Sequence, residues 1–191
     1  MKPIRTVLLA GVLALLGGCA VLVDSVNEEP VNIDHTKRTW GAWVDDQTIE
    51  TVTAVNINKA DPELRTSRVK VVSFNGTVLL VGQVPSERLR LLAGTTAQNT
   101  ETVRKVYNEL TVGKNADIID QSNDSWLTTK IKTSMVTNES INADQIKVNT
   151  EKGTVYLLGL VTPQMAHEAV TLAANTYGVK KVVKVFEYIN K

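Results

Sequence analysis

Cysteine is almost absent. Cys19 stands alone in 191 residues, so one chain can form no internal disulfide. Histidine is nearly as scarce: His35 and His167 are isolated, neither has a second ligand at metal-binding spacing, and both read as surface positions. An excess of charge is missing too. Twenty-one basic residues face 20 acidic ones, so bulk electrostatics draws the chain neither to nucleic acid nor to a membrane, and an anionic partner must be held by a local patch. No glycine-rich loop follows a strand and opens a helix, and Ser, His and Asp occur without a nucleophile elbow. The chain therefore reads as a non-enzyme without metal or cofactor.

What is present begins at the N-terminus. Lys2 and Arg5 precede an apolar run over residues 7–16, and Leu16-Gly17-Gly18-Cys19 closes it. Basic residues, a short apolar run and small residues make an export signal. The run is half of the about twenty residues needed to span a hydrocarbon core, so it is expected to be cut away. LGGC resembles the lipobox of bacterial lipoproteins, which implies cleavage after residue 18 and lipidation of the Cys19 thiol. Ala20 at the next position, rather than aspartate, implies the outer membrane. Removal of residues 1–18 leaves 19 basic and 20 acidic residues. Residues 19–44 then read as the lipidated cysteine and an extended linker, carrying a proline and mixed charge without sustained periodicity.

Beyond the linker the chain repeats itself, which decides the fold class. VKVVSFNGTVLLVGQV at 69–84 aligns with IKVNTEKGTVYLLGLV at 146–161, superposing Gly76 on Gly153 and Gly82 on Gly159. Each segment alternates, turns tightly at FNG or EKG and continues into a second apolar strand, a β-hairpin pattern. The turn glycine supplies positive φ, and the glycine inside the strand predicts a bulge or a close backbone approach. Upstream, DDQTIETVTAVNI matches NDSWLTTKIKTSM with Ile49, Thr53 and Ile57 over Leu127, Ile131 and Met135, and each segment is predicted to be a helix. Asp45 suits the first N-cap, with Val44 and Ile49 spaced as a hydrophobic staple. Downstream come amphipathic helices over 85–99 and 162–178, the second with Thr162 as N-cap and Pro163 at its first position, and then a strand in each copy. Two tandem αββαβ units follow, 45–113 and 114–191, each a three-stranded mixed sheet packed on two helices in an α+β fold. Seventy residues make a small core, so packing between the units is expected to add stability.

The segment SNDSWLTTKIKTSM at 122–135 carries the candidate site. It reads as a helix opening on Asn123 or Asp124, and Trp126 falls about 130° from the centre of the apolar stripe, beside Lys130, Thr129 and Thr133. The first unit has Thr48 and Val52 where the second has Trp126 and Lys130, so the shared fold does not demand the ring. An indole suits the headgroup boundary of a bilayer, and a lysine one turn away can meet a phosphate. Asn123, Asp124 and Ser125 would offer exposed N–H groups at the helix start, although the Asp124 charge opposes an anion there. Packing of Trp126 against the first unit or the linker stays open. Trp40 and Trp43 read either as a cover for the edge of unit 1 or as a second membrane-facing pair.

The αββαβ unit with its hairpin glycine and valine-rich strand resembles the BON domain, in RTWGAWVDD, GTVLLVGQ, VYNEL and SNDSWLTTK. A lipobox followed by two such units is similar to dual-BON outer-membrane lipoproteins. That resemblance implies a lipid-anchored periplasmic protein, supporting outer-membrane integrity and enriched at division sites. It also implies binding of anionic phospholipid by the first helix of the second unit, which places Ser122, Asn123, Asp124, Ser125, Trp126, Thr129, Lys130 and Thr133 at the site. The alternative is a non-enzymatic adaptor docking on outer-membrane assembly or cell-wall machinery.

Overall fold

The computed structural model describes residues 39–189. The signal segment, Cys19, most of the expected linker and His35 lie outside the described residues. Helix α1 (Trp40–Ala60) opens on Thr39, whose hydroxyl oxygen accepts the Ala42 N–H at 3.1 Å. Asp45 is therefore inside the helix rather than its cap, and residues 40–44 are helical instead of extended. The Val44–Ile49 staple has no helix start to secure. A short helix α2 (Pro62–Thr66) follows, capped by the Asp61 carboxylate, and buries Leu64.

Strands β1 (Arg68–Phe74) and β2 (Thr77–Val84) form the antiparallel hairpin, turning through Asn75 and Gly76, which both have positive φ (52° and 72°). That pair of conformations matches the right-handed twist of the flanking strands. Helix α3 (Glu87–Gln98), capped by Ser86, carries the chain over to β3 (Lys105–Val112), which lies parallel to β2. The second unit repeats the order. Helix α4 (Ile118–Val136) leads through a 3-10 turn (Ala143–Gln145) to β4 (Ile146–Glu151), β5 (Thr154–Val161), α5 (Pro163–Ala174) and β6 (Lys181–Tyr188). As the sequence predicts, the Thr162 hydroxyl caps α5, at 3.2 Å from the Met165 N–H, and Pro163 occupies the first turn.

Each sheet keeps its second strand central, in the orders β1-β2-β3 and β4-β5-β6. Side-chain parity then assigns the two faces of each sheet. Val78 and Leu80 of β2 join Ile49, Ile57, Leu89, Ala93 and Ala97 in a core between sheet and helices, and Val155 and Leu157 of β5 do the same with Ile131, Met135, Ala169 and Ala173. The opposite faces meet each other: Val72, Phe74, Leu79 and Val81 pack with Tyr156, Leu158 and Val185. The units thus stack sheet against sheet, and α1 and α4 lie in opposite outer layers.

Candidate functional site

The inner side of α4 holds its own hairpin. Asp124 is buried, and its two carboxylate oxygens accept the N–H groups of Lys152 and Gly153 at 2.7 and 2.8 Å. Asp46 performs the same task in the first unit, accepting from the N–H groups of Asn75 and Gly76 at 2.8 and 3.0 Å and from the Ser73 hydroxyl at 2.6 Å. A carboxylate suits the place because the tight turn leaves adjacent N–H groups without strand partners and charge-assisted bonds are strong. Asp124 therefore belongs to the fold and not to a surface site.

The helix start also differs from the expectation. Asp117 is the N-cap, its side chain accepting the Asp120 N–H at 2.8 Å, so α4 begins at Ile118 and Asn123, Asp124 and Ser125 lie in its second turn. Their N–H groups face back along the helix toward earlier carbonyls, and no phosphate seat exists there. The earlier start was hidden because Ile118 and Ile119 are 81% and 79% exposed: they fall outside the Leu127, Ile131 and Met135 stripe that signalled the helix.

The outer side of α4 carries the remaining candidates. Trp126 is 52% exposed, and the Lys130 ammonium stands 4.9 Å from the centre of its ring, within the range of a cation–π contact. Ser122, Thr129 and Thr133 are exposed on the same side. Ile119 precedes Trp126 by seven residues, nearly two turns, so the two share a stripe about 10 Å long. The usable signal was two isoleucines out of phase with the buried stripe, of which Ile119 is in phase with the tryptophan. At the pinned turn, the Lys180 stem lies against Gly153, 3.0–3.2 Å from where a Cβ would stand, and Lys152 and Lys180 are both exposed.

The chain matches the BON domain over residues 45–114 and again over 123–190. It belongs to the BON-domain family. Across its full length it is 38% identical to the outer membrane lipoprotein DolP of Haemophilus influenzae, covering 100% of this chain and 99% of that one. It is also 38% identical to a 21 kDa hemolysin of Actinobacillus pleuropneumoniae over 82% of each. Among solved structures, the C-terminal domain of CdsD, a structural protein of the type III secretion system of Chlamydia trachomatis, matches at 13% identity with a TM-score of 0.31, over 76% of this chain and 67% of that one. The chain is a dual-BON lipoprotein of the outer membrane, held by a lipid anchor.

In BON domain 2, His167 is exposed in a groove between α5 and β6 that Val170, Lys184 and Tyr188 also line. Among the described residues, no three His, Cys, Asp or Glu side chains converge to hold a metal, and no helix is long and apolar enough to cross a membrane.

Proposed function

We propose that BON domain 2 binds anionic phospholipid through the outer face of α4 and that the protein thereby supports outer-membrane integrity, including at sites of division. In this reading residues 1–18 are removed, Cys19 carries the lipid, the following residues are the tether, and the two BON domains occupy the periplasm. The observation that carries it is a half-exposed Trp126 capped by Lys130, on a helix whose counterpart in BON domain 1 has Thr48 and Val52 at those positions. The ring and Ile119 enter the acyl boundary while Lys130 meets a phosphate, with Ser122, Thr129 and Thr133 at headgroup level. Lys152 and Lys180, at the turn that Asp124 holds, add positive charge near the first half of the helix.

The energies suffice for weak docking. A lysine near an anionic surface contributes about 1 kcal/mol. Half an indole, about 100 Å² of apolar area, contributes about 2.5 kcal/mol. The acyl anchor makes such affinity effective by raising local concentration. The test is an NMR titration of the unlipidated mature chain, Cys19→Ser, with anionic and zwitterionic micelles. Shifts confined to α4 and the 152–153 turn with anionic lipid are expected, and Trp126→Glu should weaken binding at least about tenfold while leaving the spectrum folded. Undiminished binding by a folded Trp126→Glu chain overturns the reading, and one dominant crosslinked envelope protein that survives this change would replace it with an adaptor.

A further inference from the structure

Helix α1 runs for more than a turn before it buries a residue in its own domain. Asp46 is its first buried residue, and Trp40, Gly41, Trp43, Val44 and Asp45 before it are all exposed, Trp43 by just under half. Trp40 is 84% exposed and Trp43 45%, and Val44 is exposed beside them. The two rings lie edge to face with centroids 6.1 Å apart, a single apolar body in which no residue from 40 to 44 carries a charge. Trp40 at 84% exposure covers no edge of BON domain 1, and nearly half of the Trp43 surface is open beside it.

We infer that Trp40, Trp43 and Val44 form a second lipid-docking surface, one that enters the headgroup boundary without needing an anionic lipid. The occupant follows from where the patch lies. It begins one residue after the tether, and the 19 residues between Cys19 and Thr39 reach at most about 70 Å. The bilayer that holds the anchor is therefore always within range at high effective concentration. Indoles suit that boundary, their rings meeting acyl chains and their N–H groups meeting water or phosphate. The patch has no counterpart of Lys130, so its affinity rests on apolar area rather than lipid charge. Because α1 and α4 occupy opposite outer layers, a flat bilayer meets one patch at a time. The anchored protein thus has two alternative docked orientations, and the inference stands apart from the α4 reading.

The three tryptophans of the chain, Trp40, Trp43 and Trp126, make the test direct. The unlipidated mature chain, Cys19→Ser, carrying Trp126→Glu retains only the α1 indoles and loses the α4 docking face. On vesicles of phosphatidylcholine, with or without phosphatidylglycerol, its fluorescence should shift to the blue and be quenched by bromine-labelled acyl chains to a similar extent in both. The converse chain, Trp40→Ser with Trp43→Ser, reports Trp126 alone and should respond to phosphatidylglycerol vesicles only, so failure of either surface is seen separately. Emission from the α1 indoles that vesicles leave unchanged overturns the inference. So does emission already blue-shifted before lipid is added, which would mean that the tether or a second copy covers the rings.

Discussion

Asp46 and Asp124 show how one residue type, repeated at one place, can be misread for its charge. Each stands in the second turn of a helix, among polar neighbours, where the sequence offered Asp45, beside Asp46, as a cap and Asp124 itself as a cap or ligand. Each instead turns inward and holds a hairpin turn 28 to 30 residues further along the chain. Charge-assisted hydrogen bonds contribute about 1.5–3 kcal/mol each, and removing the acceptor leaves buried N–H groups unpaired. Asp124→Ala should therefore cost about 3 kcal/mol in urea unfolding, with Asn recovering only part because its amide turns a donor toward an N–H. Thr129→Ala, on the exposed face, should change stability by less than about 0.5 kcal/mol. An Asp124→Ala chain as stable as the wild type would show that the turn closes without the carboxylate.

Among the elements, the hairpins were legible in outline and the helix starts were not. The turn glycines and the alternation are local signals, and both hairpins form where they point. The glycines inside β2 and β5 mark a close approach: a Cβ at Gly82 would stand 1.9 Å from the Arg68 carbonyl oxygen, and one at Gly159 2.3 Å from that of Gln145. Backbone atoms cannot step aside as a flexible side chain can. Gly82→Ala or Gly159→Ala should thus lower stability by about 3 kcal/mol or more, measured by thermal or urea unfolding. A loss below 1 kcal/mol in either would mean the strand pair has slack. Helices α1 and α4 each begin earlier than the apolar stripe predicts because their first residues project past the sheet, where no core imposes a period. Those same projecting turns expose Trp40, Trp43, Ile118 and Ile119, so the error in the boundary and the missed site residues have one cause.

At the scale of the molecule, the back-to-back sheets join two small domains into one body. Across the junction Arg68 pairs with Glu151, Gln83 donates to the same carboxylate at 2.8 Å, and Arg104 pairs with Glu187, which also accepts from Asn75 at 3.0 Å. Tyr156 sits in the apolar part, and burial, followed by the nearby charges of Glu109 and Glu151, pushes its phenol up to about 12. The sign follows: a group whose pKa is higher folded than unfolded stabilises fully below the unfolded value, about 10, and loses that contribution as pH rises toward 12. Two units correspond to about 3 kcal/mol. The wild type should lose about that much more stability than Tyr156→Phe between about pH 10 and 12, read from denaturant midpoints at each pH. Parallel losses in the two chains would place the ring in contact with water.

The sequence by itself determined the repeat, the αββαβ order, the hairpin turns and the Trp126–Lys130 pair, because each is read from the pattern inside a short segment or from comparing two such segments. Tertiary structure alone decided that each sheet hides its second face against the other. It also decided that Asp124 serves the turn rather than an anion, and that α1 and α4 look outward in opposite directions. Those outcomes depend on atoms that meet from 28 to 112 residues apart, where an apolar strand reads the same whether its partner is a helix, another sheet or a bilayer.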